Sequence, residues 1–523
     1  MPVPALTPES LRQRAGRICV AVSGTDMFAL SEQTIPNCSF LEFRLDSVAD
    51  PAAQLPHLCA FLAANQQVTA VATCRRQPYG GGFTGTAEQQ IGILTSAAQA
   101  GCQLIDIETE TAEELGLAAL DTLRAAGAAV ILSWHDFQST PALAPQLERM
   151  APFAPDFRKI VPTATTLTEA LQLIDLLEQH GADGRLIAMS MGFRGTLTRV
   201  LGPRFGSLFT FASPEGHAGT APGQVSLSTL QHLYRVEAIT ANTAIYAVAG
   251  QPITGSLSPR MHNTAFRTAG LDAVYLPLET SDPTELLAVV DRLNVRGLSI
   301  TMPLKETILP YLAKSEPAVE QMHACNTLVK ISEGFAGFNT DVPGITGPLY
   351  DWAMGAPETP LENKFLEQPL LGKRVLILGA GGAARAAVFG LRDAGSQIFL
   401  LNRTHARAEA LATEAGVHAI RREDLAIHTF DIIINSTPYG MRNQTMEAPI
   451  AAEEMRKMHA KVFFDLVYNP VETPLLQLAR QNGLHIIPGV VMFVEQGFRQ
   501  FKRWTGEDDT RQAMQQAVLE ALS

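Results

Sequence analysis

The chain has 523 residues, of which 46% are hydrophobic and 18% charged, and its formal charge is −12. That length exceeds one ordinary core and implies two or more domains, with the composition of a soluble globular protein. The negative balance, with no basic run, argues against a nucleic-acid partner but leaves small acidic metabolites open, because local arginines bind them whatever the total charge.

The opening residues "MPVPALTPESLRQR" carry no apolar signal core, and no later run approaches membrane-spanning length. Cytoplasm is therefore the expected location, with no membrane partner. The six cysteines (Cys19, Cys38, Cys59, Cys74, Cys102, Cys325) are scattered without a C-x-x-C pair. That suits a reducing compartment and gives no support to a metal site.

From residue 18 to 213, β-branched runs recur between alanine- and leucine-rich helical segments. They are "ICVAVS" (18–23), "FLEFRLD" (40–46), "VTAVATCR" (68–75), "LIDIET" (104–109), "AVILSWHD" (129–136), "FRKIVP" (157–162), "LIAMSM" (186–191) and "LFTFAS" (208–213). Helical patterns such as "TAEQQIGILTSAAQAG" and "TLTEALQLIDLLEQHG" lie between most of them. Alternation of this kind predicts parallel pairing through helical crossovers, and eight repeats predict a (β/α)8 barrel. Chemistry in that fold sits at strand ends. Strand two carries Glu42 and Arg44 on one face, strand three ends in Arg75, strand five in His135 and Asp136, and strand six carries Lys159 after Arg158. Arg199 follows strand seven, and Gln224 ends "GTAPGQ" after strand eight.

Singly, a strand-end arginine or Lys159 reads as a solvated surface group, and His135 as a structural histidine. Together they put several cations, a histidine and a lysine at one rim. A lysine in an apolar barrel mouth is desolvated, which favours its neutral, nucleophilic form, and neighbouring arginines push the same way. A neutral amine attacks a ketone to give a Schiff base, and a histidine beside it can move protons.

The segments "FLEFR", "SWHDF", "RKIVP", "AMSMG" and "TAPGQ", in this order over roughly the first 235 residues, resemble type I 3-dehydroquinate dehydratase. The resemblance implies that Lys159 forms the imine and that His135 removes the neighbouring proton and later protonates the leaving hydroxyl. It implies that Glu42, Arg44, Arg75, Arg199 and Gln224 hold the substrate carboxylate and hydroxyls, and that Met191 lines the site. Thr220 stands where the family usually has serine. The family's glutamate after the third-strand arginine is missing from "RRQPYGGGF".

"TLQHLYRVEAITAN" (229–242) predicts a closing helix and connector, and "AIYAVAGQPI" a fresh strand, which puts a boundary near residue 241. Four polar segments follow: "GSLSPRMH" (255–262), "LSITMPLKE" (298–306), "ACNTL" (324–328) and "GFNTDVPG" (337–344). Each alone reads as a turn or cap. Further on, "KRVLIL", "GAGGAA" (379–384) and a helix closed by Gly395 fit a strand, glycine-rich turn and helix. Gly379, Ala380, Gly381, Gly382 and Ala383 would let a pyrophosphate meet the helix N-terminus. At the end of the next strand an NAD site wants an acid, but Asn402, Arg403, Thr404 and Arg407 stand there, and cations attract a 2′-phosphate. That predicts NADP(H).

With "DLVYNPVETPLL" (465–476) and "GVVMFVEQG" (489–497), these segments resemble shikimate dehydrogenase from about residue 243 onward. The resemblance implies carboxylate binding by Ser256 and Ser258, and a ring site of Thr301, Asn326, Tyr468 and Gln496. It further implies a catalytic pair of Lys305 and Asp341, and Gly489 at the cofactor. Residues 351–371 read as an insertion.

The fold expected is α/β throughout, a TIM barrel followed by a two-lobed dehydrogenase with a Rossmann domain. The parts would be 1–241 (dehydratase), 242–345 (substrate binding), 346–487 (NADP binding) and 488–523 (C-terminal helices). The implied reactions turn 3-dehydroquinate into 3-dehydroshikimate and then into shikimate, two steps of aromatic amino acid biosynthesis. An NAD-linked quinate or shikimate dehydrogenase, a ligand sensor with one inactive half, and an aldolase-like barrel joined to some reductase remain as alternatives.

Overall fold

The computed structural model describes residues 6–355, 368–442 and 446–523. The first five residues, and the 356–367 part of the expected insertion, lie outside the described residues. The chain divides into two compact units: residues 1–245 with 252–254 and 274–294, and the remainder.

In the first unit eight strands pair in parallel: β1 (Ile18–Val22), β2 (Phe40–Arg44), β3 (Thr69–Thr73), β4 (Leu104–Glu108), β5 (Ala129–His135), β6 (Phe157–Val161), β7 (Leu186–Ala188) and β8 (Thr210–Ala212). Their order, β7-β6-β5-β4-β3-β2-β1-β8, leaves one seam. There Leu208 N donates to Leu186 O (2.8 Å) and Ala188 N donates to Ser207 Oγ (3.0 Å), so a hydroxyl stands in for a ladder carbonyl. β7 is shorter than the sequence predicts because Pro162, beside it, has no N–H to donate to Met189 O; pairing then resumes in the same register, with Met191 N donating to Pro162 O (2.7 Å) and Ala164 N to Met191 O (3.1 Å). Two of the expected crossover helices, α1 (Ala87–Gln99) and α2 (Leu167–His180), start on capping boxes at Thr86/Gln89 and Thr166/Glu169.

The predicted closing helix does not form as one piece. Thr229–Leu233 is a π-helical turn, Arg235 sits at φ 53°, and Val236–Ala238 is a 3₁₀ turn. Leu230, Tyr234 and Val236 are all buried. An α-helix would put Tyr234 and Val236 on nearly opposite faces, so the chain breaks at Arg235 and buries both.

In the second unit, strands β9 (Ala244–Gly250), β11 (Val295–Ile300), β13 (Thr327–Ile331), β14 (Gly334–Phe338) and β12 (Lys314–Ser315) lie side by side in that order. (β10, Ala273–Glu279, falls almost wholly in the first unit.) A second sheet is parallel throughout, in the order β17-β16-β15-β18-β19-β20. Its strands are β15 (Arg374–Leu378), β16 (Gln397–Leu401), β17 (His418–Ala419), β18 (Ile432–Asn435), β19 (Val462–Asp465) and β20 (His485–Ile487). β15 lies between β16 and β18, so the winding reverses there. A reversal of this kind is where open α/β sheets bind ligands, at the strands' carboxyl ends.

Helices α3 (Ser258–Thr268), α4 (Asp341–Met354), α5 (Gly382–Asp393) and α6 (Gly489–Thr505) complete what the sites need. α6 meets its neighbours at glycines. A Cβ on Gly497 would lie 2.1 Å from Met261 of α3, and one on Gly344 of α4 would lie 3.1 Å from Gln496 Cβ. Ser299 Oγ donates to Gln500 Oε1 (2.6 Å), tying β11 to α6. Among the described residues no helix is long and apolar enough to cross a membrane.

Candidate active sites

Small β-barrels fill their interior with side-chain layers drawn from alternate strands. In the first unit Phe40, Leu104, Phe157 and Phe209, from β2, from β4, from β6 and from the residue before β8, are core residues of this ordinary kind. Two residues further on stand Glu42, Asp106, Lys159 and Phe211. Three ionisable groups have replaced apolar ones, and all three are buried. Lys159 Nζ donates to Asp106 Oδ2 (2.8 Å), lies 3.8 Å from Glu42 Oε1, and sits 4.1 Å from the Phe211 ring centroid. Burying three ionisable groups costs more than an apolar layer would, so the layer is not there for packing.

The other polar residues gather above it. Glu42, Arg44, Arg75, His135, Lys159, Arg199, Thr220 and Gln224 line one cavity of about 40 Å³ with Phe137 and Met189. Met189 takes the lining place expected of Met191, which is fully buried in the core and paired through its backbone with Pro162 and Ala164. Arg158 stands apart from the cavity, paired with Asp183. Arg44 is held by both carboxylate oxygens of Asp46 (3.0 and 2.8 Å). Arg199 differs. It is buried, its Nε has no partner, and among the described residues no carboxylate pairs with it. Burial pushes its pKa down to about 10, which leaves it cationic. A buried cation without a counter-charge is a place for an anion. The loop 220–224 covers the cavity: Gly192 N donates to Pro222 O (3.0 Å), and Gln224 Oε1 accepts from Thr220 N (2.6 Å).

His135 is oriented without the missing glutamate. Its Nε2 lies 2.8 Å from Arg75 Nη1, and its ring stacks on Phe137 at 6.2 Å and 18°. A guanidinium only donates, so Nε2 carries the lone pair. The acid-less loop is pressed onto Phe137: a Cβ on Gly80 (φ +82°) would lie 2.0 Å from that ring. Burial holds the imidazole pKa well below its usual value, and the charges of Arg75 and Lys159 add to this while Asp106 opposes it. His135 therefore stays neutral as pH falls through 6.5. The acid limb of kcat/KM for the barrel reaction is expected to begin lower than that. At pH 6 an ordinary imidazole would be about three-quarters protonated. A proportional loss of rate between pH 7 and 6 would assign the limb to a histidine of ordinary pKa.

In the second unit Lys305 Nζ contacts Asp341 Oδ2 at 2.5 Å. Asn326 Nδ2 donates to Asp341 Oδ1 (2.8 Å), and its own carbonyl accepts from Thr340 N (2.8 Å) and Thr327 Oγ1 (2.7 Å). Asp341 is the first residue of α4 and Lys305 lies just after β11, so two elements fix the pair. Thr301 directly follows β11 and is pressed by Gly250, where a Cβ would lie 2.4 Å from its methyl. Gln496 lies on α6 against Gly344, one turn into α4. Tyr468 stacks on Phe493 of α6 (4.4 Å, 15°), whose carbonyl accepts from Gln496 Nε2. Ser256 Oγ accepts from Ser258 N (3.3 Å) at the start of α3. No described bond joins these serines to Lys305; α3 reaches the group through Met261 and Gly497.

At the switch point Gly379 (φ +112°) follows β15, and a Cβ there would lie 2.5 Å from Ser436 Oγ. Gly381 and Gly382 begin α5 with open space where side chains would stand, so its first amides are free to meet an anion. A cavity of about 730 Å³ joins Gly379, Ala380 and Gly381 to Asn402, Arg403 and Arg407. That volume, the glycine cradle and the cations fit a phosphorylated dinucleotide. Thr404 caps the next helix and its carbonyl accepts from Asn402 Nδ2 (2.9 Å). Gly382 and Ala383 lie in the first turn of α5, outside the cavity lining. Gly489 is outside it too: a Cβ there would lie 2.3 Å from Val467 O, so that glycine serves close backbone packing.

Sequence reading missed Asp106, Asp46, Phe211 and Arg421. For Asp106 the signal existed, an acid inside a β-branched run at the same parity as Leu104. Arg421 lines the nucleotide cavity from the loop that follows β17.

Family models match nearly the whole chain in four stretches. They are type I 3-dehydroquinase at 18–241, shikimate dehydrogenase substrate binding domain at 248–328, shikimate/quinate 5-dehydrogenase at 362–481, and shikimate 5′-dehydrogenase C-terminal domain at 489–519. A chloroplastic bifunctional 3-dehydroquinate dehydratase/shikimate dehydrogenase of Arabidopsis thaliana is 30% identical over 442 residues, 83% of this chain and 72% of that protein. An NADP(+) shikimate dehydrogenase of Methanosarcina mazei is 36% identical over 291 residues, 53% of this chain and 98% of its own length. A crystal structure of Thermus thermophilus shikimate 5-dehydrogenase with NADP(H) and shikimate is 35% identical, covering 53% of this chain and all of that one, at TM-score 0.47.

Proposed function

Since this chain belongs to the family of bifunctional 3-dehydroquinate dehydratase/shikimate dehydrogenases, we propose how its residues divide the two reactions. The protein dehydrates 3-dehydroquinate to 3-dehydroshikimate and reduces that product to shikimate with NADPH. The working division is 1–241, 242–345, 346–487 and 488–523.

The buried ionisable layer supports the first assignment best. Lys159 Nζ, after losing a proton, adds to the substrate ketone; water leaves and an iminium forms. The iminium nitrogen is cationic, and Asp106, 2.8 Å from Nζ, offsets its charge. Burial alone would raise the Asp106 pKa, but Lys159 and Arg75 outweigh it and hold this carboxyl far below the usual carboxylate range, so it remains an anion. His135 removes the proton beside the iminium and returns one to the departing hydroxyl. Arg75 covers the lone pair of Nε2 as arranged here, so a substrate oxygen that draws Arg75 away frees the base. Arg199 takes the carboxylate, with Glu42, Arg44, Thr220 and Gln224 on the hydroxyls.

NADPH, when bound, supplies hydride to the carbonyl. Lys305, held by Asp341, gives the proton to the developing alkoxide, and Asn326 keeps that carboxylate in place. Ser256 and Ser258 take the substrate carboxylate, and Thr301, Tyr468 and Gln496 border the ring.

Adding 3-dehydroquinate should raise the ultraviolet absorbance of the conjugated enone, and adding NADPH should then remove both absorbances. No first rise would remove the dehydratase reading. Oxidation of quinate with NAD that outpaces the NADPH reaction would turn the second half into a catabolic dehydrogenase.

A further inference from the structure

Carrying the β16–β17 register forward from Leu400↔Ala419 puts Arg421 beside Asn402, and Ile420 N still donates to Leu400 O (2.9 Å). Arg421 and Arg403 therefore leave the sheet at adjacent carboxyl ends, on the side of β16 away from the switch point. That is the adenosine side when a pyrophosphate sits at Gly381. Both guanidinia line the same cavity as Arg407, and among the described residues none of the three has an ion-pair partner. The next residue, Arg422, also lines it, but is held by both oxygens of Glu454 (2.8 and 2.8 Å). Glu423 and Glu447 line it as well, so the cationic surplus depends on the unpaired arginines.

We propose that Arg421 is a specificity-determining residue for NADPH, a second cation on the 2′-phosphate opposite Arg403. The proposal rests on the NADPH reading above. A cation from the loop after a separate strand closes the phosphate from two sides, and a guanidinium matches phosphate geometry with paired donors.

The test compares Arg421→Ala and Arg403→Ala with the intact enzyme, using NADPH, NADH, adenosine 2′,5′-bisphosphate and 5′-AMP as probes. Arg421→Ala is expected to raise KM for NADPH and the inhibition constant of the bisphosphate about tenfold, as loss of a charged hydrogen bond does. Values for NADH and 5′-AMP, and kcat at saturating NADPH, should stay put. An equal rise for both cofactors would reduce Arg421 to adenine packing or to fold support, and no rise would remove it from the site. If Arg403→Ala discriminates while Arg421→Ala does not, the proposal alone fails. If neither does, and the intact enzyme has no preference, the NADPH reading fails with it.

Discussion

Lys159→Ala is expected to lose dehydration by ~10⁴-fold or more, the upper range for one acid–base group, because the covalent route closes altogether. Reduction of supplied 3-dehydroshikimate should continue at the normal rate. The variant should still fold, since Asp106 keeps Arg75 Nη2 (2.8 Å) and Ser133 Oγ (2.7 Å), and Glu42, which loses its ion pair, keeps Thr73 Oγ1 (2.7 Å) and the nearby charge of Arg44. Borohydride added with 3-dehydroquinate should raise the intact mass of the normal enzyme by one reduced ligand and leave the variant unchanged. An adduct on the variant, or appreciable turnover from it, would sink the assignment.

Lys305→Ala should do the reverse. Reduction is expected to fall ~10²–10⁴-fold, as on removal of one general acid. Dehydration continues, so 3-dehydroshikimate accumulates and its absorbance persists with NADPH present. Asp341 retains its bond from Asn326 Nδ2 (2.8 Å), which keeps the start of α4 in place. Losing both activities in either variant, with normal circular dichroism, would mean that the two sites are coupled.

The barrel was legible because each strand is short, apolar and bounded by a helical pattern. Its polar mouth was legible because Glu42, Arg44, His135 and Lys159 interrupt such runs. Asp106 was not, because one acid in "LIDIET" looks like strand-end punctuation until Lys159 is seen across the barrel, 2.8 Å away. Met189 and Met191 share a parity within one run, and spacing alone does not say which of the two borders the cavity. The closing helix failed because a helical pattern over 229–242 says nothing of a second buried residue on the far face. Arg421 escaped because β17 has two residues and no periodicity. Gly489 fell inside a matching motif, and its use in backbone packing depends on Val467, which sequence spacing does not bring near.

The glycine contacts of α6 bear on the order in which the protein assembles. The barrel's strands are consecutive and complete by Ala212. β11 waits for α6, since the Ser299–Gln500 bond spans 201 residues. α3 likewise waits for Gly497 to receive Met261. Ribosomes add roughly 5–20 residues each second, so the first unit has tens of seconds alone before the second can close. During that interval α3 and β11 lack the helix that covers them, and contacts of such long sequence separation form late in any case. The dehydrogenase half is thus the one exposed to chaperones and to misassembly, while the dehydratase half is finished before its successor enzyme exists.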